Sequence, residues 1–232
     1  MSSRETSSRD SVFASIRASL GVTSQEAPRR QAVADRLAGH PRGLVPARGQ
    51  LPEAERLALF RDMVIAAAAT IDHLPSAAEV PEAVAAYLRA RNLPMTILRG
   101  TDARLATLPW ERAPALDVWI GPSDGRQLAG LSHAFAGVAE SGTVVMLSGP
   151  ENPSTLNLLP DHHLVVVNAA DVAGDYETVW DRIRARYGEG VLPRTVNWIT
   201  GPSRSADIEQ TLLLGAHGPR SLHVLLVGGP TR

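Results

Sequence analysis

Six short, mostly apolar runs constrain this chain more than anything else in it: MTIL (95–98), LDVWI (116–120), TVVML (143–147), LVVV (164–167), VNWI (196–199) and LHVLLV (222–227). A strand with one wet face alternates apolar and polar side chains. A strand covered on both faces is apolar at successive positions. Between and before these runs the apolar residues change period. Leu57, Phe60, Val64 and Ile71 recur at helical spacing, as do Val80, Val84, Tyr87 and Leu88 behind Pro81, and Tyr176, Val179, Trp180, Ile183 and Tyr187. Buried strands interleaved with amphipathic helices predict an α/β layered fold on a mostly parallel sheet. No internal repeat is visible. The 232 residues suffice for one substantial domain, or one domain with an extension.

The extension is expected at the N-terminus. Asp10 or Ser11 is placed to cap a short helix with Val12, Ile16 and Leu20 on one face and Gly21 beyond its end. Residues 22–51 are rich in Pro, Arg, Gly and Ala without a sustained period, which reads as a linker. The expected division is therefore an arm over 1–50 and an α/β domain over 51–232. Residues 1–50 hold eight Arg against four acids, whereas the whole chain has a net charge of −1. The arm is suited to docking on a partner or a second subunit. The total charge does not argue for nucleic acid or a membrane surface.

Two absences close off chemistry. With no cysteine there is no disulfide, no thiol nucleophile and no Cys ligand for zinc or an iron–sulfur cluster. All 23 basic residues are Arg, which removes Schiff-base chemistry and the lysine of a phosphate-binding Walker loop. No apolar run reaches the roughly 18–20 residues that span a bilayer. The first 21 residues also lack an apolar segment of signal-peptide type, so a cytoplasmic location is the expectation.

Three stretches are candidates for chemistry. In VAESGTVVML (138–147), Glu140 stands at the edge of a buried strand. Desolvation there would raise its pKa and equip it for acid–base or nucleophilic work, while Ser141, Gly142 and Thr143 would offer polar groups to a ligand. The competing reading, which the pattern favours, is a solvated turn acid beside a permissive glycine. In LLPDHHLVVV (158–167), His162 and His163 are neighbours on a strand and point to opposite faces. They do not share a metal, and hydrogen-bonded strand-end histidines are expected. The third, NWITGPSRSADIEQTLLLGAHGP (197–219), reads as strand, small-residue turn and helix start, the arrangement that cradles phosphates. Pro202 donates no amide, however, and Asp207 and Glu209 in the first turn would repel an anion. The better expectation is a polar joint or small-ligand pocket, with Ser203 or Ser205 as N-cap and GAHGP turning the chain into the last strand.

Taken together, AESGT (139–143), LLPDHHLVVV (158–167), NWITGPSRSADIE (197–209) and LGAHGP (214–219) resemble the lactate-utilisation protein C family, built on the LUD domain. Order and spacing match over about residues 53–228. The family's usual Glu-Thr-Gly is Glu140-Ser141-Gly142 here, and His163 rather than His162 matches the family's histidine. The resemblance implies a Rossmann-like three-layer α/β/α domain similar to the NagB/RpiA/CoA-transferase group. It also implies a part in oxidising L-lactate to pyruvate beside iron–sulfur partner proteins. A cysteine-free subunit would leave the clusters to those partners and carry no cofactor itself. Within that fold group Glu140 is the nearest counterpart of the CoA-transferase nucleophile. A standalone enzyme of CoA-transferase-like or folate cyclo-ligase-like type using Glu140, or a ligand-binding scaffold, therefore stand as alternatives. The ligand-binding candidates are Ser141, Gly142, Thr143, Thr200, Gly201, Ser203, Arg204, Asp207, Glu209, His217 and Gly218. The oligomeric state is left open.

Overall fold

The computed structural model describes residues 7–23, 25–188, 190–206, 212–215 and 217–230. The chain forms two compact units that divide after Gly43. The first holds two helices. α1 (Ser8–Leu20) is capped by Ser7, whose hydroxyl accepts from the Asp10 amide, and it ends on left-handed Gly21. α2 (Ala27–Gly39) has Pro28 in its first turn, where a missing N–H costs nothing. The second helix replaces the expected linker. Alanine and arginine are strong helix formers without an apolar stripe, and Gln31 adds a 2.7 Å bond to Asp35 one turn on. Neither helix has a buried residue. Residues 44–50 belong to the second unit rather than to the arm. Gly49 meets Gly174 backbone to backbone, and Gln50 Nε2 donates to Asp175 Oδ2 at 2.9 Å.

The second unit follows the order α3 (Glu53–Ala66), β1 (Thr70–Leu74), α4 (Val80–Ala90), β2 (Thr96–Arg99), α5 (Ala103–Ala106), β3 (Asp117–Ile120), β4 (Ala129–His133), β5 (Ala136–Val138), β6 (Thr143–Leu147), α6 (Ser154–Leu158), β7 (His162–Asn168), β8 (Val172–Ala173), α7 (Tyr176–Tyr187), β9 (Val196–Ile199), β10 (Arg204–Ala206), β11 (Leu212–Leu214) and β12 (Ser221–Val227). Six strands make a fully parallel sheet ordered β1-β12-β7-β4-β2-β3. Its two faces carry separate cores. Leu164, Val166, Leu225 and Val227 pack with Val80, Val84 and Leu88 of α4. The alternating Val165, Val167, Val224 and Leu226 pack with Leu57, Phe60 and Val64 of α3. The period of two along a doubly covered strand is thus seen directly, and the molecule has the expected α/β fold. No helix among the described residues is long and apolar enough to cross a membrane.

All six apolar runs are strands, but two sit elsewhere. β6 and β9 pair antiparallel in a smaller sheet ordered β8-β5-β6-β9, with Val179 and Ile183 of α7 over one face. The expectation of cover on both faces fails for β3, an edge strand whose Trp119 and Ile120 are exposed, and β9 is only half-buried. An apolar run also says nothing of direction, so the antiparallel pair is indistinguishable from the parallel set in sequence. Six strands, β1, β4, β5, β8, β10 and β11, carry no such run. In β1 the sequence is Thr-Ile-Asp-His-Leu, and Ile71 belongs to this edge strand rather than to α3, which ends at Ala66. β4 and β5 are short and built from small residues.

Among the described residues, the helix start expected at Ser203 or Ser205 gives way to a strand. Arg204–Ala206 form β10, paired antiparallel with β11, so neither Ser203 nor Ser205 caps a helix there. Asp207 and Glu209 lie outside the described residues. β-pairing with Leu212–Leu214 supplies the backbone partners that the helix reading assigned to a cap. The GAHGP turn behaves as expected, with Gly215 at φ 80° and β12 starting at Ser221.

Candidate functional site

The signature residues separate into three neighbourhoods. The first is a hydroxyl cluster. Thr143 Oγ1 lies 2.8 Å from both Ser141 Oγ and Tyr176 Oη, which are themselves 2.8 Å apart, and 2.6 Å from Thr200 Oγ1. AESGT and ITGPSRS therefore do face one another, but these four hydroxyls satisfy each other. The glycines alongside are filled by protein. Gly142 (φ 67°) donates its amide to Val138 O at 2.9 Å, and a Cβ there would strike the Val64 backbone. Gly201 (φ 75°) is pressed against the Ala67 carbonyl, to which the Arg204 guanidinium also donates. This is the carboxyl end of α3, where the helix dipole is negative and carbonyls are exposed. Arg204 serves that end, and the turn does not form a phosphate cradle.

Glu140 stands apart from these groups. It is buried, with 4% of its surface exposed, and Arg48 Nε is 4.0 Å from its Oε2. Its amide donates to Gly174 O at 3.2 Å, so the strap around residues 48–50 covers this edge of the smaller sheet.

The third neighbourhood, the signature cleft, has a volume of about 230 Å³. Thr200, Gly201, Ser203, His217 and Gly218 line it together with His163 and Asn157. His162 and His163 diverge as strand neighbours must. His162 Nδ1 meets Tyr87 Oη at 3.0 Å on one face, while His163 is fully buried on the other, its Nε2 3.1 Å from Ser132 Oγ. Burial pushes the His163 pKa down to about 3, so the ring is neutral.

A second cleft, of about 260 Å³, lies where the sheet topology directs attention. After β2 the chain moves outward to edge strand β3; after β4 it moves the other way, to β7 and then β12. The crevice at the carboxyl ends of β2 and β4 is a topological switch point, the usual binding place of an open α/β sheet. His133 ends β4, and Asp102 and Arg104 follow β2; all three line the cleft, with Asn152, Arg186 and Tyr187 opposite in sequence.

Each of these side chains has a defined environment. Asp102 caps α5 by accepting from the Arg104 amide at 2.9 Å and takes the guanidinium in a fork, Nη2 at 2.6 Å and Nε at 3.0 Å. Burial alone would raise its pKa; the Arg104 bonds outweigh that and hold the carboxyl below its ordinary value. His133 is 7% exposed, and its Nδ1 lies 2.9 Å from Ala134 O, which selects the Nδ1–H tautomer. Burial, then the Arg104 charge, depress its pKa. The lone pair on Nε2 has no hydrogen-bond partner among the described residues. Arg186 lies over the rings of Phe135 and Tyr187 and has no carboxylate partner among the described residues. Glu151, exposed, is the acid at the rim.

A family model for the LUD domain matches residues 57–227. The chain belongs to the LUD domain family. The motif resemblance to lactate-utilisation protein C holds in individual relatives. The Bacillus subtilis lactate utilization protein C is 37% identical over 99 residues, 42% of this chain and 41% of that one. The Exiguobacterium protein of the same name is 32% identical over 139 residues, 56% and 60% of the two chains. An uncharacterised protein of Neisseria meningitidis is 33% identical over 126 residues, 54% and 52%. The chain spans about half the length of the relatives it matches. Among solved structures, a DUF162 family protein from Deinococcus radiodurans superposes with a TM-score of 0.56 at 28% identity, over 77% of this chain and 99% of that one.

In this LUD domain, Thr200, Gly201, Ser203, His217 and Gly218 from among the sequence candidates line one cleft, whereas Asp102, Arg104, His133, Asn157 and Arg186 were not among the candidates. Asp102 followed two residues later by Arg104 carried a capping signal ahead of α5. His133 had none: its strand, Ala-Gly-Leu-Ser-His, lacks an apolar run, and its place at a sheet switch exists only in three dimensions.

Proposed function

We propose that this LUD-domain chain serves lactate utilisation by holding a small 2-hydroxy acid, L-lactate, in the switch-point cleft. Arg186 takes the carboxylate, and the unpartnered His133 Nε2 accepts the hydroxyl proton. The observation that carries this reading is the pairing in one cleft of a cation and a neutral imidazole lone pair that have no counter-ion and no hydrogen-bond partner among the described residues. A guanidinium is suited to a carboxylate, and a desolvated neutral histidine to a hydroxyl. The names of the Bacillus subtilis and Exiguobacterium relatives support the choice of acid. The oxidation to pyruvate removes two electrons and two protons. His133 takes the hydroxyl proton, and we assign both electrons and the proton from the Cα–H bond to the iron–sulfur partner proteins, because a chain without cysteine has no thiolates for a cluster. A cytoplasmic location and a chain that carries no cofactor of its own belong to the same reading.

Calorimetric titration with L-lactate tests the binding step. Saturable binding that weakens at least about tenfold in Arg186→Leu is expected, and Arg186 is exposed enough for that variant to fold. Lactate-dependent dye reduction by the reconstituted partners, with and without this chain, tests the system. Full activity in its absence would overturn the role.

A further inference from the structure

A further cleft, of about 300 Å³, lies beside the strap at the start of α7. Gln50 of the strap, Leu51 after it, Arg56 of α3, the α7 cap Asp175, and Thr178 and Arg182 of α7 line it. The close backbone contact of Gly49 with Gly174 presses the strap against the residue before that cap. Thr178 and Arg182 are one turn apart and share a face of the helix.

Two half-buried arginines therefore meet at one cleft, and neither is neutralised there. Each is anchored to a backbone carbonyl through a single nitrogen. Arg56 Nη1 donates to Leu51 O at 3.2 Å, and Arg182 Nη1 donates to Asp171 O at 2.8 Å. Neither guanidinium has a carboxylate partner or a second hydrogen bond among the described residues, although each carries five N–H donors. Arg56 Nε is also shut off from solvent, so that charge is incompletely hydrated. The acid in the lining is committed elsewhere. Asp175 accepts from the Thr178 amide at 2.8 Å, from the Thr178 hydroxyl at 2.9 Å and from Gln50 Nε2 at 2.9 Å. Its charge serves the start of α7, where a carboxylate is stabilised by the helix dipole.

We propose that this cleft binds a phosphate group, either free phosphate or the phosphate of a small ester. Counting acceptor oxygens selects the ligand. A monocarboxylate such as lactate offers two oxygens and satisfies one guanidinium fork. A phosphate offers three or four and engages both arginines at once. The site is separate from the proposed lactate cleft, which borders the other end of α7 through Arg186 and Tyr187.

Calorimetric titration of the full chain in low-salt buffer tests this, with inorganic phosphate in one arm and glycerol 3-phosphate in the other. Saturable binding of at least one is expected, and the tighter of the two identifies the source as free phosphate or ester. Affinity should fall at least about tenfold in Arg56→Gln and in Arg182→Gln, because glutamine keeps a donor for the backbone carbonyl and loses the charge. It should be unchanged in Arg186→Leu. Failure of both ligands to bind saturably, binding that survives both glutamine substitutions, or loss of binding in Arg186→Leu would each overturn the proposal. If neither glutamine variant folds, crystals of the full chain grown with phosphate decide: phosphate on Arg56 and Arg182 upholds the site, and its absence there overturns it. The lactate reading stands or falls separately, on the response of L-lactate binding to Arg186→Leu.

Discussion

Thr143 Oγ1 lies 2.6 Å from Thr200 Oγ1, and this contact joins two signature motifs 57 residues apart in the chain. Tyr176 and Ser141 complete the group, so one hydroxyl cluster couples β6, the end of β9 and the start of α7. Its role is to hold the smaller sheet together, because its donors and acceptors are used on one another. Thr143→Val keeps the shape and removes the central hydroxyl, leaving buried partners short. Urea unfolding should show a loss of about 1–3 kcal/mol; a loss under about 0.5 kcal/mol would mean that the cluster contributes no net stability.

Gly201 is required as glycine by the protein around it. A methyl group there meets the Ala67 carbonyl at a backbone φ of 75° that side chains avoid. Gly201→Ala should destabilise by about 2 kcal/mol or more, read by thermal or urea unfolding. A stable variant would show that the turn relaxes freely, and the close docking on α3 would have to be abandoned.

Arg204 supports the same helix end. Arg204→Ala should lower stability modestly, by about 0.5–1 kcal/mol given its exposure. Inorganic phosphate should act on the melting temperature equally in both forms. A phosphate-dependent rise lost in the variant would restore the anion-cradle reading.

Buried neutral histidines make the fold acid-sensitive. His163 is depressed to about 3 by burial. His223, depressed to about 4 by burial, faces Asp72, Thr70, Tyr87 and Arg91. In both cases the unfolded form binds the proton first. Stability is therefore full above the unfolded value near pH 6.5 and falls as pH drops from there toward 4. The expected slope is about 1 kcal/mol per pH unit for each ring. Urea midpoints that stay flat between pH 6.5 and 5 would refute it.

The same sign governs the lactate cleft. His133 has a depressed pKa because it is buried and close to Arg104, so its free Nε2 stays unprotonated across neutral pH. Affinity for L-lactate should be level from pH 8 down through the ordinary histidine range near 6.5. It should weaken only below that, as the lone pair is lost. A midpoint at or above 6.5 in the binding profile would place the hydroxyl elsewhere.

Local sequence determined the layered α/β class, the cover on both faces of β7 and β12 though not of the exposed edge strand β3, and the divergence of His162 from His163. Each depends on side-chain periodicity: a strand covered on both faces is mostly apolar at successive positions, with polar residues such as His163 only where a hydrogen bond meets them. Tertiary structure alone decided which runs pair parallel, because backbone pairing leaves no trace in an apolar run. It turned the expected helix start at Ser203 into a strand, since the partner that competes for those amides is eight residues away in β11. It also brought His133 to the end of β2 beside Asp102 and closed Ser132, Asn157 and His163 into one chain of bonds. These residues lie far apart in sequence, and no local pattern encodes a meeting that depends on strand order.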